Sequence, residues 1–568
     1  MGRRGWEKCQ RSKGALELES WGEDTDGTYR TYRINVTGPI SPIGPISPLQ
    51  VRTQRSRARP PQFPAPRKIY MSENGETAAK GRPILLTMNS HQYYEALSAR
   101  DRRFDGVFFV GVKTTKIYCR PICPSRRPHA QHCEFFRLAA AAEVAGYRPC
   151  LRCRPELAPG NAPIDLEQKV VGAALRYLDR MEEASQSIPE LANTFRFSDR
   201  HFRRMLRKQL GVSPIQLMQT RRLLLAKQLL TDTKLTMNEI ALASGFKSLR
   251  RFNSLFKERY RLSPTALRKD SGSGESGSEC TFRLSYRPPF CWDSILRYFR
   301  RRFYRGAEFV NGTQYFRTVQ IGRSRGWISV ENDPKNLALK VEVAPDLLSV
   351  LLPLIARLRR LFDLDASPDP ITAALGSLAL GNPGLRVPGA FDGFEVGMRA
   401  VLGQQISVAA ATTIAGRVVE RFGERIDSPF PELKSMVPTA AQIAAVPVAE
   451  LRKVGLTEAR AATLAGLARA VTEEKINFLN ATSWEESVKQ MTLVPGIGPW
   501  TAGYIAMRVL GWPDAFPHQD LGLQKALSVK KASDVLALAE KWRPWRAYAA
   551  MQLWNSLEKQ YELPNHVS

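Results

Sequence analysis

The sequence predicts a multidomain, mainly α-helical chain in which two smaller units mix strands with helices. Its 568 residues correspond to roughly three to five folded units, at about 100 to 200 residues per domain. Five of the eight cysteines lie between Cys119 and Cys153, a density that marks a small separate unit. From about Asp369 onward apolar residues recur at helical spacing, which predicts an all-α unit at the C-terminal end.

The charge of the chain indicates a polyanionic partner. It contains 83 Lys and Arg residues against 54 Asp and Glu, a formal net charge of +29, and such an excess favours binding to a polyanion. Hydrophobic residues make up 43% of the chain, which is enough to form cores and excludes wholesale disorder.

The composition also excludes a membrane protein. The longest mostly apolar run, residues 347–356, is ten residues long and contains Pro353, whereas a spanning helix needs about 20. No apolar stretch follows the basic N-terminus, so no secretory signal is predicted. We therefore expect a cytoplasmic protein, in which crowded cysteines bind metal rather than form disulfides.

Two segments of biased composition divide the chain. Residues 1–84 are rich in Arg, Pro, Gly and Ser and are predicted to be a disordered tail. Residues 271–279 consist mostly of Ser and Gly and are predicted to be a flexible linker. The predicted folded units are a cysteine-rich unit at 85–160, a basic helical unit at 163–270, a mixed α/β unit at 280–368 and an all-α unit at 369–564.

The cysteine-rich unit contains two short chelating hooks. The hooks are Cys119-Arg-Pro-Ile-Cys123 and Cys150-Leu-Arg-Cys153. Each hook can present two thiolates to one ion, so the pair predicts a tetrahedral four-cysteine site in a small α/β domain. Four soft thiolates favour zinc. The weaker candidate ligands, which lie between the hooks and belong to neither, are Cys133, His129 and His132.

The sequence around these hooks indicates more than a structural metal, which is the usual role of four cysteines. Residues 114–124 and 145–156 closely resemble the Ada methylphosphotriester receptor domain, and the resemblance extends over about 88–156. It implies that Cys119 is both a zinc ligand and the acceptor of a methyl group from a DNA phosphotriester. Zinc keeps such a thiol ionised at neutral pH, and the thiolate is the nucleophile.

The same resemblance concerns the basic residues near the hooks. Arg126, Arg148 and Arg152 match positions that face DNA phosphates in the family. Lys116 stands where a glycine is often found, so the local loop geometry is expected to differ. Methylation converts one thiolate into a neutral thioether, and the loss of negative charge is expected to tighten DNA binding.

The basic helical unit contains an internal repeat. Residues 196–268 carry 17 Lys and Arg against 4 Asp and Glu; a charge run alone is usually a solvated face. Here, however, three sequence pieces return 49 to 50 residues later. The pieces are Glu190-Leu-Ala, Phe197 to Phe202 and Ser213-Pro214, which return as Glu239-Ile-Ala, Phe246 to Phe252 and Ser263-Pro264.

Each copy of the repeat predicts a helix-turn-helix. Each copy predicts a short helix, a turn and a second helix that begins with polar and basic residues; in the second copy the turn contains Gly245. This order fits a motif whose second helix enters the major groove. The pair resembles the AraC-type DNA-binding domain over about 165–270. The residues expected at or near the groove-facing start of the recognition helices are Asp199, Arg200, Arg203, Leu249 and Arg250.

The unit that follows the linker mixes strands with a helix. Apolar residues alternate over 282–286 and 337–343, which predicts two strands with one buried face each. A helix is predicted between them, because apolar residues recur there at helical spacing. The members of this helix face are Trp292, Ile295, Phe299 and Phe303.

The all-α unit contains a glycine hairpin followed by an aspartate. Gly496 and Gly498 let the backbone approach a phosphate, and the helix that follows supplies free N–H groups. Asp520 follows Gly498 by 22 residues. A helix-hairpin-helix with an aspartate at this distance resembles the DNA glycosylase superfamily, and the wider sequence over about 281–560 resembles AlkA-type 3-methyladenine glycosylases.

This resemblance implies a reaction and a set of residues. Asp520 is expected to be the catalytic carboxylate in the N-glycosidic hydrolysis of alkylated purines such as 3-methyladenine. Glycosylases that also nick the strand carry a lysine where this chain has Trp500, so we predict a monofunctional enzyme. No cysteine follows Cys291, so no iron–sulfur cluster is expected.

The remaining aromatic and polar matches concern the flipped base. Trp500, Tyr504 and Trp554 match aromatic positions around the base pocket, where an electron-poor alkylated purine stacks well. Gln405 matches the residue that wedges into the gap left by the flipped nucleotide. Two further tryptophans, Trp542 and Trp545, are interpreted as core residues.

Together these matches predict a fused alkylation-response DNA repair protein: methylation sensor, promoter-binding regulator and DNA glycosylase. Its expected partners are double-stranded DNA, at damaged sites and at a promoter operator, and RNA polymerase; its expected place is the nucleoid. One alternative is an AraC-type regulator with an inactive glycosylase half. Another is a guanine O6 alkyltransferase, which is disfavoured because no Pro-Cys-His-type acceptor motif lies outside the zinc segment.

Overall fold

The computed structural model describes residues 5–12, 15–23, 29–36, 90–159, 189, 192–193, 197–270, 280–478 and 484–562. The chain divides into two compact units, Met1–Arg82 and Pro83–Ser568. The predicted linker at 271–279 lies outside the described residues. Among the described residues, none of the helices has the length and apolar character needed to cross a bilayer.

The first unit contains a three-stranded antiparallel sheet. The prediction of a disordered tail is therefore wrong for these strands, while residues 37–84 lie outside the described part. The strands were not predicted because the prediction used the composition of the whole tail. Over a short stretch, however, Leu16 and Leu18 alternate with glutamates, and this two-residue period is that of a strand. The strands are Gly5–Ser12 (β1), Ala15–Glu23 (β2) and Tyr29–Val36 (β3).

The cysteine-rich segment folds into a small α/β unit, as predicted. Its four-stranded sheet has the order β6-β4-β5-β7, in which β5 and β7 pair in parallel and the other neighbours are antiparallel. Because β5 ends at Cys119 and β7 ends next to Cys150, this parallel pairing brings the two hooks together. The elements are Ser90–Ser98 (α1), Phe109–Val112 (β4), Ile117–Cys119 (β5), Cys133–Phe136 (β6), Ala139–Val144 (α2) and Arg148–Pro149 (β7).

The basic segment forms helices whose starts follow from the repeated sequence. The Ser213 side chain caps a helix by accepting a hydrogen bond from the Gln216 N–H. Pro214 suits the first position of this helix, because it has no N–H to leave unpaired. Thr236 and Glu239 form a reciprocal capping box, and Gly245 turns the chain at φ +76°. The helices are Asp199–Leu210 (α3), Pro214–Asp232 (α4), Met237–Ala243 (α5), Leu249–Tyr260 (α6) and Pro264–Asp270 (α7).

The second helix-turn-helix is therefore complete, formed by α5 and α6. In the first copy the recognition helix α3 is described. The first helix of that copy lies largely outside the described residues, apart from Pro189, Ala192 and Asn193.

The mixed unit is a five-stranded antiparallel sheet of order β8-β12-β11-β10-β9. Both predicted strands and the helix between them are confirmed, but the helix ends at Arg302, so Phe303 of the predicted face follows it in an extended conformation. Ile295 and Phe299 of that helix are buried, as the predicted apolar face requires. The elements are Thr281–Ser285 (β8), Trp292–Arg302 (α8), Glu308–Asn311 (β9), Gln314–Ile321 (β10), Ser324–Asp333 (β11) and Ala338–Val343 (β12).

The rest of the described chain is helical, as predicted. The longest apolar run enters a buried helix that tolerates Pro353 because the proline lies in its first turn. The helices are Leu351–Leu361 (α9), Pro368–Leu375 (α10), Gly393–Leu402 (α11), Val408–Phe422 (α12), Ala440–Ala444 (α13), Val448–Arg452 (α14), Glu458–Thr472 (α15), Trp484–Thr492 (α16), Pro499–Arg508 (α17), Leu521–Ala526 (α18), Ala532–Ala539 (α19) and Arg546–Glu562 (α20).

The basic helical unit and the mixed α/β unit share one hydrophobic core. Leu229 of α4 and Phe256 of α6 belong to the same buried cluster as Phe282 of β8 and Ile295 of α8. The Gln228 amide also donates a hydrogen bond to the Arg283 carbonyl oxygen at 2.8 Å. The residues on either side of the predicted linker therefore pack as one body.

Buried polar contacts tie the cysteine-rich unit to the basic helices. The Lys227 ammonium lies 2.6 Å from the Glu156 carboxylate, and each side chain is only 1% exposed. The buried Glu143 carboxylate accepts hydrogen bonds from the hydroxyls of Tyr118 (3.1 Å), Thr220 (2.8 Å) and Tyr260 (3.4 Å). Tyr118 precedes Cys119 and Tyr260 ends α6, so one carboxyl group joins the cysteine site to the second recognition helix.

Candidate functional site

The four hook cysteines form one cluster. The sulfur atoms of Cys119, Cys123, Cys150 and Cys153 all lie within 4.8 Å of one another. A tetrahedral zinc site with bonds of about 2.3 Å places its sulfurs about 3.8 Å apart, so the cluster fits zinc in both geometry and donor chemistry. The Arg120 backbone N–H also donates to Cys153 Sγ at 3.4 Å, a contact that stabilises a thiolate.

The competing ligands lie outside this cluster. Cys133 Sγ donates to the His129 carbonyl oxygen at 3.4 Å and packs in an apolar cluster with Phe108, where burial raises the pKa of its thiol. Within the described residues, neither Cys133 nor either of the nearby histidines joins a metal-binding group. The lower rank given to all three agrees with these positions and stays a prediction.

Cys119 is the most accessible of the four cysteines. It is half-buried, whereas the other three are buried. Arg126 and Arg152 are exposed and Arg148 is half-buried, and none of the three has an ion-pair partner among the described residues. An accessible sulfur with unneutralised arginines on the same unit suits a polyanionic ligand.

The backbone explains why a glycine is common at the position of Lys116. Lys116 has a left-handed φ of +53°, a conformation that glycine adopts without steric cost. Its carbonyl oxygen accepts a hydrogen bond from the Arg148 N–H at 2.9 Å, and its ammonium lies 5.0 Å from the centre of the Tyr147 ring. The loop thus keeps its turn, with lysine in place of glycine.

The recognition helices present some of their predicted residues to solvent. Arg200 and Arg250 are exposed. Arg203 instead pairs with Asp199 one turn away, at 2.8 Å, and Leu249 packs partly against the core. The sequence prediction missed Arg251, which is exposed beside Arg250.

The glycine hairpin joins α16 to α17. Gly496 has a φ of +87°, and a Cβ at this position would lie 1.9 Å from Thr463 Oγ1, so only glycine fits. Gly498 precedes α17, and no side chain caps the N–H groups of its first turn, which leaves them available to an anion. The Gln404 amide, which the sequence prediction missed, donates to the Gly496 carbonyl oxygen at 2.9 Å and to Thr501 Oγ1 at 3.1 Å.

The structure brings Asp520 together with all three predicted pocket aromatics. Asp520 precedes α18 and caps it, as Oδ1 accepts from the Leu523 N–H at 3.0 Å. Oδ1 also accepts from Trp554 Nε1 at 2.9 Å, and Oδ2 accepts from Trp500 Nε1 at 3.0 Å. Trp500 stacks on Tyr504 with ring centres 5.7 Å apart, and Tyr504 lies 6.4 Å from Trp554.

Residues from distant parts of the chain support this pocket. The Tyr504 hydroxyl lies 2.9 Å from the hydroxyl of Tyr298 on α8, and the buried Arg508 donates to both hydroxyls, at 2.8 Å to Tyr504. Burial acts to raise the pKa of Tyr504, but nearby positive charges, above all Arg508, outweigh it and lower that pKa. Sequence reasoning missed Tyr298 and Arg508, because neither lies in a recognised motif.

The last predicted residues fall into two groups. Gln405 is exposed in the loop between α11 and α12 and has a left-handed φ of +56°, a strained conformation of the kind found at functional sites. Trp542 and Trp545 are buried, which confirms their interpretation as core.

Family models match most of the described chain. Residues 92–156 match the metal binding domain of Ada, and residues 191–270 match a helix-turn-helix domain. Residues 281–392 match the AlkA N-terminal domain, and residues 398–541 match the HhH-GPD superfamily of base excision DNA repair proteins.

A relative in Mycobacterium tuberculosis (strain H37Rv) aligns with this chain over most of both sequences. It is named a probable bifunctional transcriptional activator/DNA repair enzyme AlkA, and it is 34% identical over 481 residues, which cover 82% of this chain and 96% of the relative. The chain belongs to the bifunctional Ada/AlkA regulator–repair family.

Two Escherichia coli (strain K12) proteins correspond to the separate parts of the family. DNA-3-methyladenine glycosylase 2 is 34% identical over 275 residues, which cover 48% of this chain and 96% of that protein. The bifunctional transcriptional activator/DNA repair enzyme Ada is 34% identical over 127 residues, which cover 22% of this chain and 34% of that protein. This chain thus matches nearly the whole of the first protein and about a third of the second.

Proposed function

We propose that the protein is an alkylation-response DNA repair protein with two chemical activities and one regulatory activity. It excises alkylated purines such as 3-methyladenine, accepts methyl groups from DNA methylphosphotriesters on Cys119, and regulates transcription through its helix-turn-helix pair. The observation that carries the proposal is the convergence of Asp520, three aromatic side chains and the glycine hairpin at one place. Such an arrangement argues against an idle glycosylase half.

Excision requires stabilisation of a developing positive charge. An alkylated purine is a good leaving group, so the barrier lies in the charge that grows on the sugar as the N-glycosidic bond lengthens. The Asp520 carboxylate stabilises this charge, and the base leaves with the bonding electrons. A water that the carboxylate orients adds to the sugar carbon and gives up its proton to the carboxylate. Trp500 offers no amine for a Schiff base, so the product is an abasic site in an intact strand.

Methyl transfer uses the sulfur of Cys119. These four cysteines, Cys119, Cys123, Cys150 and Cys153, would hold zinc, which would keep the Cys119 sulfur ionised at neutral pH. The Cys119 sulfur forms a bond to the methyl carbon, the carbon–oxygen bond of the phosphotriester breaks, and its electron pair stays on the phosphate oxygen. The DNA product is an ordinary phosphodiester, and the cysteine becomes a thioether.

Regulation follows from the same step. Loss of one negative charge next to the basic helices strengthens promoter binding, with a steep dependence on salt. Phosphate contacts come from Arg126, Arg148 and Arg152, and base contacts come from Arg200, Arg203 and Arg250. The partner at the promoter is RNA polymerase, and the protein acts at the nucleoid.

Release of 3-methyladenine from a duplex by wild type and by Asp520→Asn tests the glycosylase proposal. The amide is nearly isosteric but uncharged, so we expect DNA binding to persist and excision to fall by at least a hundredfold. Excision by Asp520→Asn at the wild-type rate would contradict the role of the carboxylate. Trapping of a covalent complex with borohydride would contradict a monofunctional enzyme.

A further inference from the structure

We infer that Trp500 and Trp554 are positioning residues that hold the Asp520 carboxylate through their indole N–H groups, separately from any stacking on the base. The inference rests on the proposed glycosylase function of Asp520. Stacking uses the face of an indole ring, whereas its N–H lies on the ring edge. The two roles can therefore be separated by substitution.

The hydrogen bonds of Asp520 carry the inference. A carboxylate has about four acceptor positions on its two oxygens. Trp554 Nε1 and the Leu523 N–H use the two positions of Oδ1, and Trp500 Nε1 uses one position of Oδ2. The one position left is on Oδ2, so we assign Oδ2 as the oxygen that faces the sugar or the attacking water.

Three separate elements converge on this one carboxylate. Trp500 lies in the first turn of α17, Asp520 precedes α18, and Trp554 lies in α20. Hydrogen bonds from N–H donors on three sides fix the orientation of a carboxylate. A fixed negative charge stabilises a developing cation better than a mobile one, because no reorganisation is needed during the reaction.

The packing around Asp520 leaves room for these contacts and little else. A Cβ on Gly522 would lie 2.8 Å from Asp520 Oδ1 and 3.3 Å from the Trp554 ring. Glycine at this position therefore lets the Trp554 edge and the carboxylate meet.

Substitution by phenylalanine tests the inference, since it keeps an aromatic face but removes the N–H. The assay compares binding to two duplexes, one with a cationic pyrrolidine ring and one with a neutral tetrahydrofuran ring in place of the damaged sugar. The preference for the cationic ring reports on the Asp520 charge and its position. We expect wild type to prefer the pyrrolidine duplex, and Trp500→Phe and Trp554→Phe each to lose about tenfold of this preference.

A double-mutant cycle then separates positioning from stacking. Asp520→Asn should remove the preference for the pyrrolidine duplex. Adding either phenylalanine substitution to Asp520→Asn should then change the ratio of the two affinities less than twofold, because the tryptophans act through the carboxylate. Trp542→Phe is the matched control: it also removes a buried indole N–H, but that side chain has no contact with Asp520 among the described hydrogen bonds. Its preference should equal that of wild type.

Three results would overturn the inference. They are an unchanged preference in both phenylalanine variants, an equal loss of affinity for both duplexes, and a further loss in the Asp520→Asn background. Failure of the proposed function has a different signature, because wild type would then release no alkylated purine. The binding comparison needs no excision and reports on the hydrogen bonds in either case.

Discussion

Gly522 offers a way to displace the catalytic carboxylate without touching it. Its backbone is not left-handed, so alanine adds no backbone strain, and alanine favours the helix α18 in which Gly522 lies by up to about 1 kcal/mol. The added Cβ would, however, lie 2.8 Å from Asp520 Oδ1. Restoring an ordinary contact of 3.4 Å requires the carboxylate to move by about 0.6 Å.

A shift of this size is large for a catalytic group. Since a misplacement of about 1 Å can cost about a hundredfold in rate, we expect Gly522→Ala to lower single-turnover base release about tenfold. Its unfolding free energy should stay within about 1 kcal/mol of wild type. Gly381→Ala is the control, because a Cβ there meets nothing within 4 Å. A Gly522→Ala protein that folds normally and excises at the wild-type rate would refute the placement of the carboxylate.

Three further predictions concern the cysteine-rich unit. Lys227→Met removes one of the two cations of the buried Glu156 carboxylate, which keeps Arg154 at 3.0 Å, and should lower the unfolding free energy by about 1.5–3 kcal/mol in denaturant titrations; a change below about 0.5 kcal/mol would contradict the buried pair. Burial raises the pKa of Glu143 to about 7, so the folded protein holds a proton that the unfolded chain has released, and stability should fall as the pH rises from about 4.5 to 7. Glu143→Gln should remove this fall in the unfolding free energy, which amounts to about 3 kcal/mol at most. An unchanged dependence of stability on pH in this variant would contradict the raised pKa of Glu143. Metal analysis should find one zinc per chain, lost in Cys123→Ser and kept in Cys133→Ser; equal zinc in both variants would contradict the ligand set.

The local motifs made the site residues predictable from sequence. The spacing within each hook and the distance from the hairpin to Asp520 are encoded in short segments, and the structure brings these residues together as expected. Gly496 was also predicted from its place in the hairpin sequence. The structure supplies the reason for glycine there, because the left-handed φ and the contact with Thr463 exclude every side chain.

Contacts between distant segments could not be predicted in this way. The Tyr298 and Tyr504 hydroxyls that meet at the pocket are 206 residues apart in sequence. Whether Trp554 presents its face or its edge to Asp520 depends on the position of α20, which no local pattern encodes. The core shared by the basic helices and the mixed α/β unit was missed for a related reason, because a Ser/Gly-rich segment suggests separation whatever the flanking residues pack against.

The central claim is that one chain carries both a methyl acceptor and a glycosylase, and one preparation tests it. The full-length protein is incubated with a duplex that carries methylphosphotriesters and 3-methyladenine. Peptide mass spectrometry should then place one methyl group on Cys119, while free 3-methyladenine is released over many turnovers and leaves intact abasic strands. A methyl group on another cysteine, or no release of the base by a sample that has accepted the methyl group, would contradict the account.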